Sequence, residues 1–511
     1  MRVSALRDSS LSAVQRRVGV LPLIGFTLLA LVSLVAGPLA LTAALIGIAG
    51  IIVVGTRPQW GVAIILTTLM VQYGSRRYDR EGVAGIASLL PAGSGMFTVN
   101  NMLGLFLALL LLYHVYLGAD WSVLRNRQVQ LIIIITAVLA FSGFVSGIGP
   151  EDFDQVGLLS SSAQDPTRQL ISRGLFLVLF VFFLRKPRDL RMIVWVFIGL
   201  AVITAWSGNE SAFVGGGRPE VADYRAGGTE VLIQSSQNPN RLAMVATIGL
   251  VLVWEYSQAF ALRRWQRLAA MGTAVLFVLT VFMCASRGGL LGMLVAGAML
   301  FVSRRGGSRR LVYGLVAMLV GGVLVLELVP PEAIERLSNI PGLHHDDGGD
   351  AEGEGSTQRR AYTYELGLQL AAKAPVIGVG PGNWPLVRFL NDPIRSAAAP
   401  HSSYLESLVE GGVVTLGLYL FLFYITVRDL LRCESSPAVM EQARDDGLDW
   451  LLKATRVCLI SFMVFSLFAD LWDLVFSYFL LGVAGVLIQR YQPLWWAPDP
   501  VAHPALQPGY A

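Results

Sequence analysis

The chain has 511 residues, of which 54% are hydrophobic and only 14% charged, with a formal net charge of +4. That balance excludes an ordinary soluble domain. It also makes nucleic acid an unneeded partner, because the arginines cluster in short stretches between apolar runs, where the positive-inside rule accounts for them.

The apolar residues come in blocks of about 15 to 20, long enough to cross some 30 Å of hydrocarbon as helices whose backbone polar groups are satisfied internally. Arg2, Arg7, Arg16 and Arg17 precede the first block, and a second begins at Leu39. This reads as a retained first span rather than a removed secretion signal. The pattern predicts spans near 20–36, 39–55, 60–73, 99–118, 129–147, 171–184, 190–206, 241–258, 269–286, 289–303, 311–329, 412–428, 454–471 and 473–489. The expected fold is therefore all-α, a polytopic integral membrane protein with about 12–14 transmembrane helices and a large external loop containing short helices.

Arginine-containing stretches at 57, 125–127, 185–191, 263–267, 303–310 and 428–456 alternate with loops lacking such clusters, which puts them and both termini on the cytoplasmic side. Residues 1–18 read as a cytoplasmic segment, 19–489 as the membrane domain and 490–511 as a Pro-rich cytoplasmic tail. SRRYDRE from Ser75 breaks the alternation, and the Gly/Pro-interrupted text from Gly82 to Val99 suits the outer interface better than a full span. Cys284 and Cys458 lie within apolar runs and Cys433 in the expected cytoplasmic loop 428–456, so the three cysteines define neither a disulfide framework nor a metal site.

Among the outer loops, Glu151, Asp152, Asp154 and Asp165 read as a solvated acidic stretch, and the Gly/Ser-rich segment 206–240 is long enough to fold over an external site. In CASRGG, Arg287 stands at the outer turn between two closely spaced spans, with Gly288 and Gly289 permitting a close helix approach. Pro330 and Pro331 open the longest outer segment, 329–411. It begins with a short amphipathic helix, PPEAIERLSNI, and an acidic linker, PGLHHDDGGDAEGEGST, whose His344, His345, Asp346, Asp347 and Asp350 lack the rigid positioning of a metal site.

Arg359 and Arg360 then lead into a helix over TYELGLQLAAK, ended by Lys373, Ala374 and Pro375. GVGPGN forms an irregular turn that lacks a Walker lysine; it reverses the chain and is also a candidate lining for a substrate site. Ser403 and Glu406 have capping-box spacing, which predicts a helix starting near Tyr404 with His401 just before it. An imidazole held there can accept a hydroxyl proton.

SRGG at 286–289, the R…Y…P…GVGPGNW arrangement from Arg360 to Trp384, and HSSYLESLVEGG at 401–412 together resemble the O-antigen ligase and Wzy-type polysaccharide polymerase superfamily of bacterial inner-membrane proteins. The resemblance is strongest over about 240–430. It implies an enzyme that takes an undecaprenyl-diphosphate-linked glycan as donor and joins it to a glycan or lipid acceptor at the periplasmic face, with no cofactor and no metal. It makes 329–411 the periplasmic catalytic loop, His401 the catalytic residue, and Arg287 and Arg360 the binders of the donor diphosphate, with Arg359 an alternative to Arg360. Tyr364, Gly380, Gly382 and Ser402 become candidate substrate contacts; Tyr364 stands where the family commonly has Trp, and Ser402 where it often has Asn. Whether the acceptor makes the protein a ligase or a polymerase is open at this level. A transporter would distribute ionisable groups through the spans, whereas here they concentrate in loops.

Overall fold

In a computed structural model, the described residues are 50, 52–71, 99–146, 166–214, 239–302, 351–391, 400–471 and 475–495. They form α-helices, with two short 3-10 turns. In chain order the helices are α1 (Pro58–Val71), α2 (Val99–Tyr116), α3 (Arg127–Ser146), α4 (Pro166–Phe183), α5 (Pro187–Val214), α6 (Pro239–Ala259) and α7 (Arg264–Met283). There follow α8 (Arg287–Val302), α9 (Ala351–Lys373), α10 (Trp384–Asn391), α11 (Ser403–Ser435), α12 (Pro437–Asp445), α13 (Asp449–Phe465) and α14 (Val475–Tyr491).

α3, α5, α6, α7 and α11 are long and apolar enough to cross a bilayer, and α1, α2, α4 and α8 contain shorter apolar helices. The protein is thus a polytopic membrane protein of all-α fold. Solvent preference sorts the helices. α13 and α14 are apolar around most of their circumference and buried, as a helix surrounded by other helices must be. α7 has only 22% of its apolar window buried, against 67% for α6, so α7 lies at the rim. Its exposed Trp265, Leu268, Met271 and Val275 recur at helical spacing and form a lipid-facing stripe.

α13 packs against α6, α8, α11 and α14. The approach of α8 is close because Gly288, Gly289 and Gly292 face Phe468, Ala243 and Phe465, and the Ser461 hydroxyl donates to the Gly292 carbonyl at 2.8 Å.

The two ends of the bundle differ in chemistry. At one, Arg127, Arg428 and Arg432 gather at Asp429, Arg456 pairs with Glu434 at 2.7 Å, and Arg490 pairs with Asp446 at 2.7 Å. At the other lie the starts of α6, α8 and α11 and the segment 466–471.

Several expectations need correcting. The stretch 428–456 is not a loop: it is the end of α11, all of α12 and the start of α13, and the ion pairs of Asp429 and Glu434 let charged residues stay helical. Cys433 accordingly sits buried in α11, where its sulfur accepts from the Trp495 indole at 3.2 Å. The acidic linker stops at Ala351, where α9 begins, since acidic residues favour a helix N-terminus as much as a loop. The span expected over 454–471 ends at Phe465, and the one expected over 412–428 belongs to the much longer α11.

The expected spans 20–36 and 311–329, most of 39–55, the loops 75–81, 151–165 and 303–310, the interfacial stretch 82–98, most of 206–240, the segment 330–350 with His344 and His345, and the tail beyond Trp495 lie outside the described residues.

Candidate functional site

α11 is not one straight rod. Tyr404 and Tyr419 stand fifteen residues apart, a separation that would put them ~22 Å apart on a straight helix, yet their rings meet at 6.0 Å. The bend is at Gly412, with φ 66° and ψ −171°, a conformation open essentially to glycine alone. The short arm 403–411 therefore folds back on the long arm.

At the bend the helix's own hydrogen bonds are interrupted, and the glycine turn replaces them. The N–H groups of Val379 and Gly380 donate to the carbonyls of Val409 and Glu410, both at 2.9 Å, and the Val413 N–H donates to the Pro375 carbonyl at 2.8 Å. Gly378, at φ 70°, comes so close to the Glu410 backbone that a side chain would collide with it. On the other flank the Ser142 hydroxyl of α3 donates to the carbonyls of Ile377 and Glu410. The amides of Val379 and Gly380 thus serve the fold. Gly380 and Gly382 both have positive φ in this turn, and Gly143 of α3 lies against Pro381.

The short arm begins at Ser402, which is the N-cap: its hydroxyl accepts from the Leu405 N–H at 3.4 Å. The expected Ser403/Glu406 capping box is therefore not formed: the N-cap lies one residue earlier and its N3 residue is Leu405. Ser403, fully buried, turns its groups outward to the segment 466–471 instead. Its N–H donates to the carbonyls of Ser466 and Ala469, and its hydroxyl donates to Ala469 and accepts from the Leu471 N–H at 2.8 Å.

The same segment receives three further side chains, from two helices. The Tyr364 hydroxyl of α9 donates to the Leu467 carbonyl at 2.9 Å. The Asn240 amide of α6 donates to Phe468 at 2.9 Å, and the Arg241 guanidinium to the Asp470 carbonyl at 3.0 Å. Asn240 also accepts from the Ser286 hydroxyl, while Ser286 accepts from the Gly289 N–H at 3.0 Å and so caps α8 one residue before Arg287.

Residues 466–471 are thus a common mount for the helices bearing Arg287, Arg360 and His401. Arg287 and Arg360 are in electrostatic reach of one another. Partial loss of water lowers the Arg360 pKa; Tyr364 opposes that, Arg287 adds to it as a like charge, and Asp470 opposes it as a counter-charge. Arg360 remains a cation at any physiological pH. Arg287 and Arg360 are both exposed to solvent, and two like charges within reach of one another beside the Asp470 carboxylate offer charged donors to an anion with several oxygens.

His401 is half-buried, two residues before the Ser403 anchor. Its φ of 53° and that of Ala285, at 45°, are the positive values outside glycine among the described residues. Each sits one or two residues from a motif side chain or helix cap. Such backbone costs about 1–3 kcal/mol and persists only where surrounding contacts impose it; here the cap of α8 and the anchored Ser403 do so.

The structure therefore puts Arg287 and Arg360 within electrostatic reach of one another, and fixes the start of the helix that follows His401 on segment 466–471. Tyr364 is committed to Leu467 through its hydroxyl, Ser402 to its own helix, and the Gly380–Gly382 turn packs along the bend. The Arg359 side chain lies outside the described residues. Sequence reasoning missed Asn240, Arg241 and Asp470. Asp470 had a legible signal, an acidic residue inside an expected span; Asn240, a neutral residue at the end of a Gly/Ser-rich stretch, had none.

A family model described as O-Antigen ligase matches residues 272–420, less than a third of the chain. No curated protein matches the chain. The matched segment runs from within α7 to within α11 and contains Arg287, Arg360 and His401, whereas Asn240, Arg241 and 466–471 fall outside it.

Proposed function

We propose that the protein is a glycosyltransferase of the O-antigen ligase type, moving a glycan from undecaprenyl diphosphate to an acceptor hydroxyl at the periplasmic face of a bacterial inner membrane. The observation that carries this reading is that α9, with Arg360, and the start of α11, just after His401, are held directly on 466–471 and α8, with Arg287, through Asn240, while all three residues lie in the segment that the family model matches. The arginine-rich end of the bundle is the cytoplasmic one by the positive-inside rule, which leaves the candidate site periplasmic.

In this scheme Arg287 and Arg360 hold the donor diphosphate. As the anomeric C–O bond breaks, its electron pair goes to the diphosphate oxygen, and the guanidiniums stabilise the charge that grows there. The acceptor oxygen attacks from the opposite side and inverts the anomeric centre, while His401 takes the hydroxyl proton and later releases it to water. The products are the glycosylated acceptor and undecaprenyl diphosphate. The polyprenyl tail remains in the apolar medium beside the bundle.

The test is transfer by purified protein given a defined undecaprenyl-diphosphate repeat, with and without a candidate acceptor. Product that has left the lipid diphosphate supports ligation. Growth of repeats still carried on the lipid diphosphate identifies a Wzy-type polymerase, and movement of intact lipid-linked glycan without bond cleavage identifies a transporter.

A further inference from the structure

The opposite end of the bundle carries a second cluster of surplus positive charge that the transfer scheme does not use. Asp429 of α11 is wholly buried, and its two oxygens draw in three guanidiniums: Arg127 of α3 at 3.4 Å, Arg428 at 2.8 Å and Arg432 at 3.8 Å. Three cations around one anion leave two charges unbalanced. Among the described residues, Glu434 and Asp446 do not cancel them, since Glu434 is held by Arg456 and Asp446 by Arg490.

The guanidiniums are fixed from behind and open in front. Their side chains are 45%, 32% and 49% exposed, and each has more N–H donors than Asp429 can take. Arg432 also lies over the Trp495 ring at 5.8 Å, and the Trp495 indole is itself anchored on Cys433. The α3 N-terminus, capped by Asn126, adds its positive end beside Arg127.

What continues from this cluster is apolar. Along α3, Ile134 and Phe141 follow Arg127 at seven-residue intervals and are exposed. Along α11, Phe421, Tyr424 and Leu431 share a helical face with Arg428 and are exposed as well. α3 and α11 pack together, so both stripes run from the shared Asp429 cluster along neighbouring helices. A ligand matching both features has an anionic phosphate head and hydrocarbon tails.

We propose that Arg127, Arg428 and Arg432 form a binding site for an anionic phospholipid of the surrounding bilayer, its phosphodiester on the guanidiniums and its acyl chains along the exposed faces of α3 and α11. Asp429 acts as the internal counter-charge that aims the three side chains outward. This site is separate from the candidate transfer site and does not depend on the reading of that site.

The test uses the full-length protein in detergent with an equimolar mixture of phosphatidylglycerol and phosphatidylcholine of matched acyl chains, with bound lipid counted by native mass spectrometry. Phosphatidylglycerol is expected to be retained over phosphatidylcholine, and Arg127→Gln with Arg432→Gln is expected to lower its retention by roughly tenfold. Should that double variant fail to fold, Arg432→Gln alone, the loosest of the three contacts, is expected to lower retention severalfold. Equal retention of the two lipids, or unchanged phosphatidylglycerol retention in the folded variants, would overturn the proposal. So would displacement of the lipid by millimolar inorganic phosphate, which would make this a free-anion site, or by undecaprenyl phosphate, which would make it a polyprenyl site.

Discussion

The Ser286 hydroxyl donates to the side-chain oxygen of Asn240, whose amide donates in turn to the Phe468 carbonyl at 2.9 Å. Because Ser286 caps α8 immediately before Arg287, this chain fixes the orientation of an arginine proposed to hold the donor. Asn240→Ala is therefore expected to weaken binding of undecaprenyl diphosphate by about five- to thirtyfold, the range for one or two buried hydrogen bonds. In an Arg287→Ala background the same change should add little, since there is no longer a guanidinium to aim. Full additivity in a double-mutant cycle would mean that Asn240 only supports the fold.

Tyr364 plays the matching part for Arg360. Tyr364→Phe keeps the ring and loses the bond to Leu467, so a modest loss of about 0.5–1.5 kcal/mol in donor binding is expected. Arg360→Lys keeps the charge but not the planar fork and should recover only part of the binding lost in Arg360→Ala. Equilibrium binding of the labelled lipid diphosphate measures all three.

Gly412 makes a harsher prediction. Any other residue there must adopt a left-handed φ and place Cβ against the Val376 carbonyl. Gly412→Ala should destabilise the protein by at least about 1–3 kcal/mol and separate the glycine turn from the bend. Thermal unfolding in detergent, together with proteolysis within 375–383, reports both effects.

The helices that the structure describes in the membrane domain were legible from the chain because hydropathy in blocks is sufficient evidence of helices in lipid, whereas Arg287, Arg360 and His401 stood out only through motifs that resemble the O-antigen ligase superfamily. What joins them was not legible. Leu467, Phe468 and Ala469 continue an apolar run across a chain reversal, and hydropathy cannot register that the backbone carbonyls there have turned to receive other helices. The fold-back of α11 was equally hidden: Gly411 and Gly412 look like the tolerated glycines of a membrane helix until ψ at Gly412 is known.

At the arginine-rich end, burial alone would raise the Asp446 pKa, but hydrogen bonds from Arg490 and Tyr491 outweigh it and hold the carboxyl below the ordinary range. A depressed folded-state value means that the stabilisation is present above the unfolded value, near 3.9, and is lost as pH falls through the folded one. Asp446→Asn should therefore reduce stability at neutral pH and flatten its decline below about pH 4. Melting temperature against pH for the two proteins checks the sign.

The central claim is that His401 acts on the acceptor while the arginines hold the donor. The most direct measurement compares His401→Ala with the unaltered protein for both donor binding and glycan transfer from a defined undecaprenyl-diphosphate substrate. The expected result is donor binding within about twofold of the unaltered protein and transfer reduced by about 10²–10⁴-fold, the contribution of a positioned general base. Transfer at the normal rate by a folded His401→Ala protein would contradict the account.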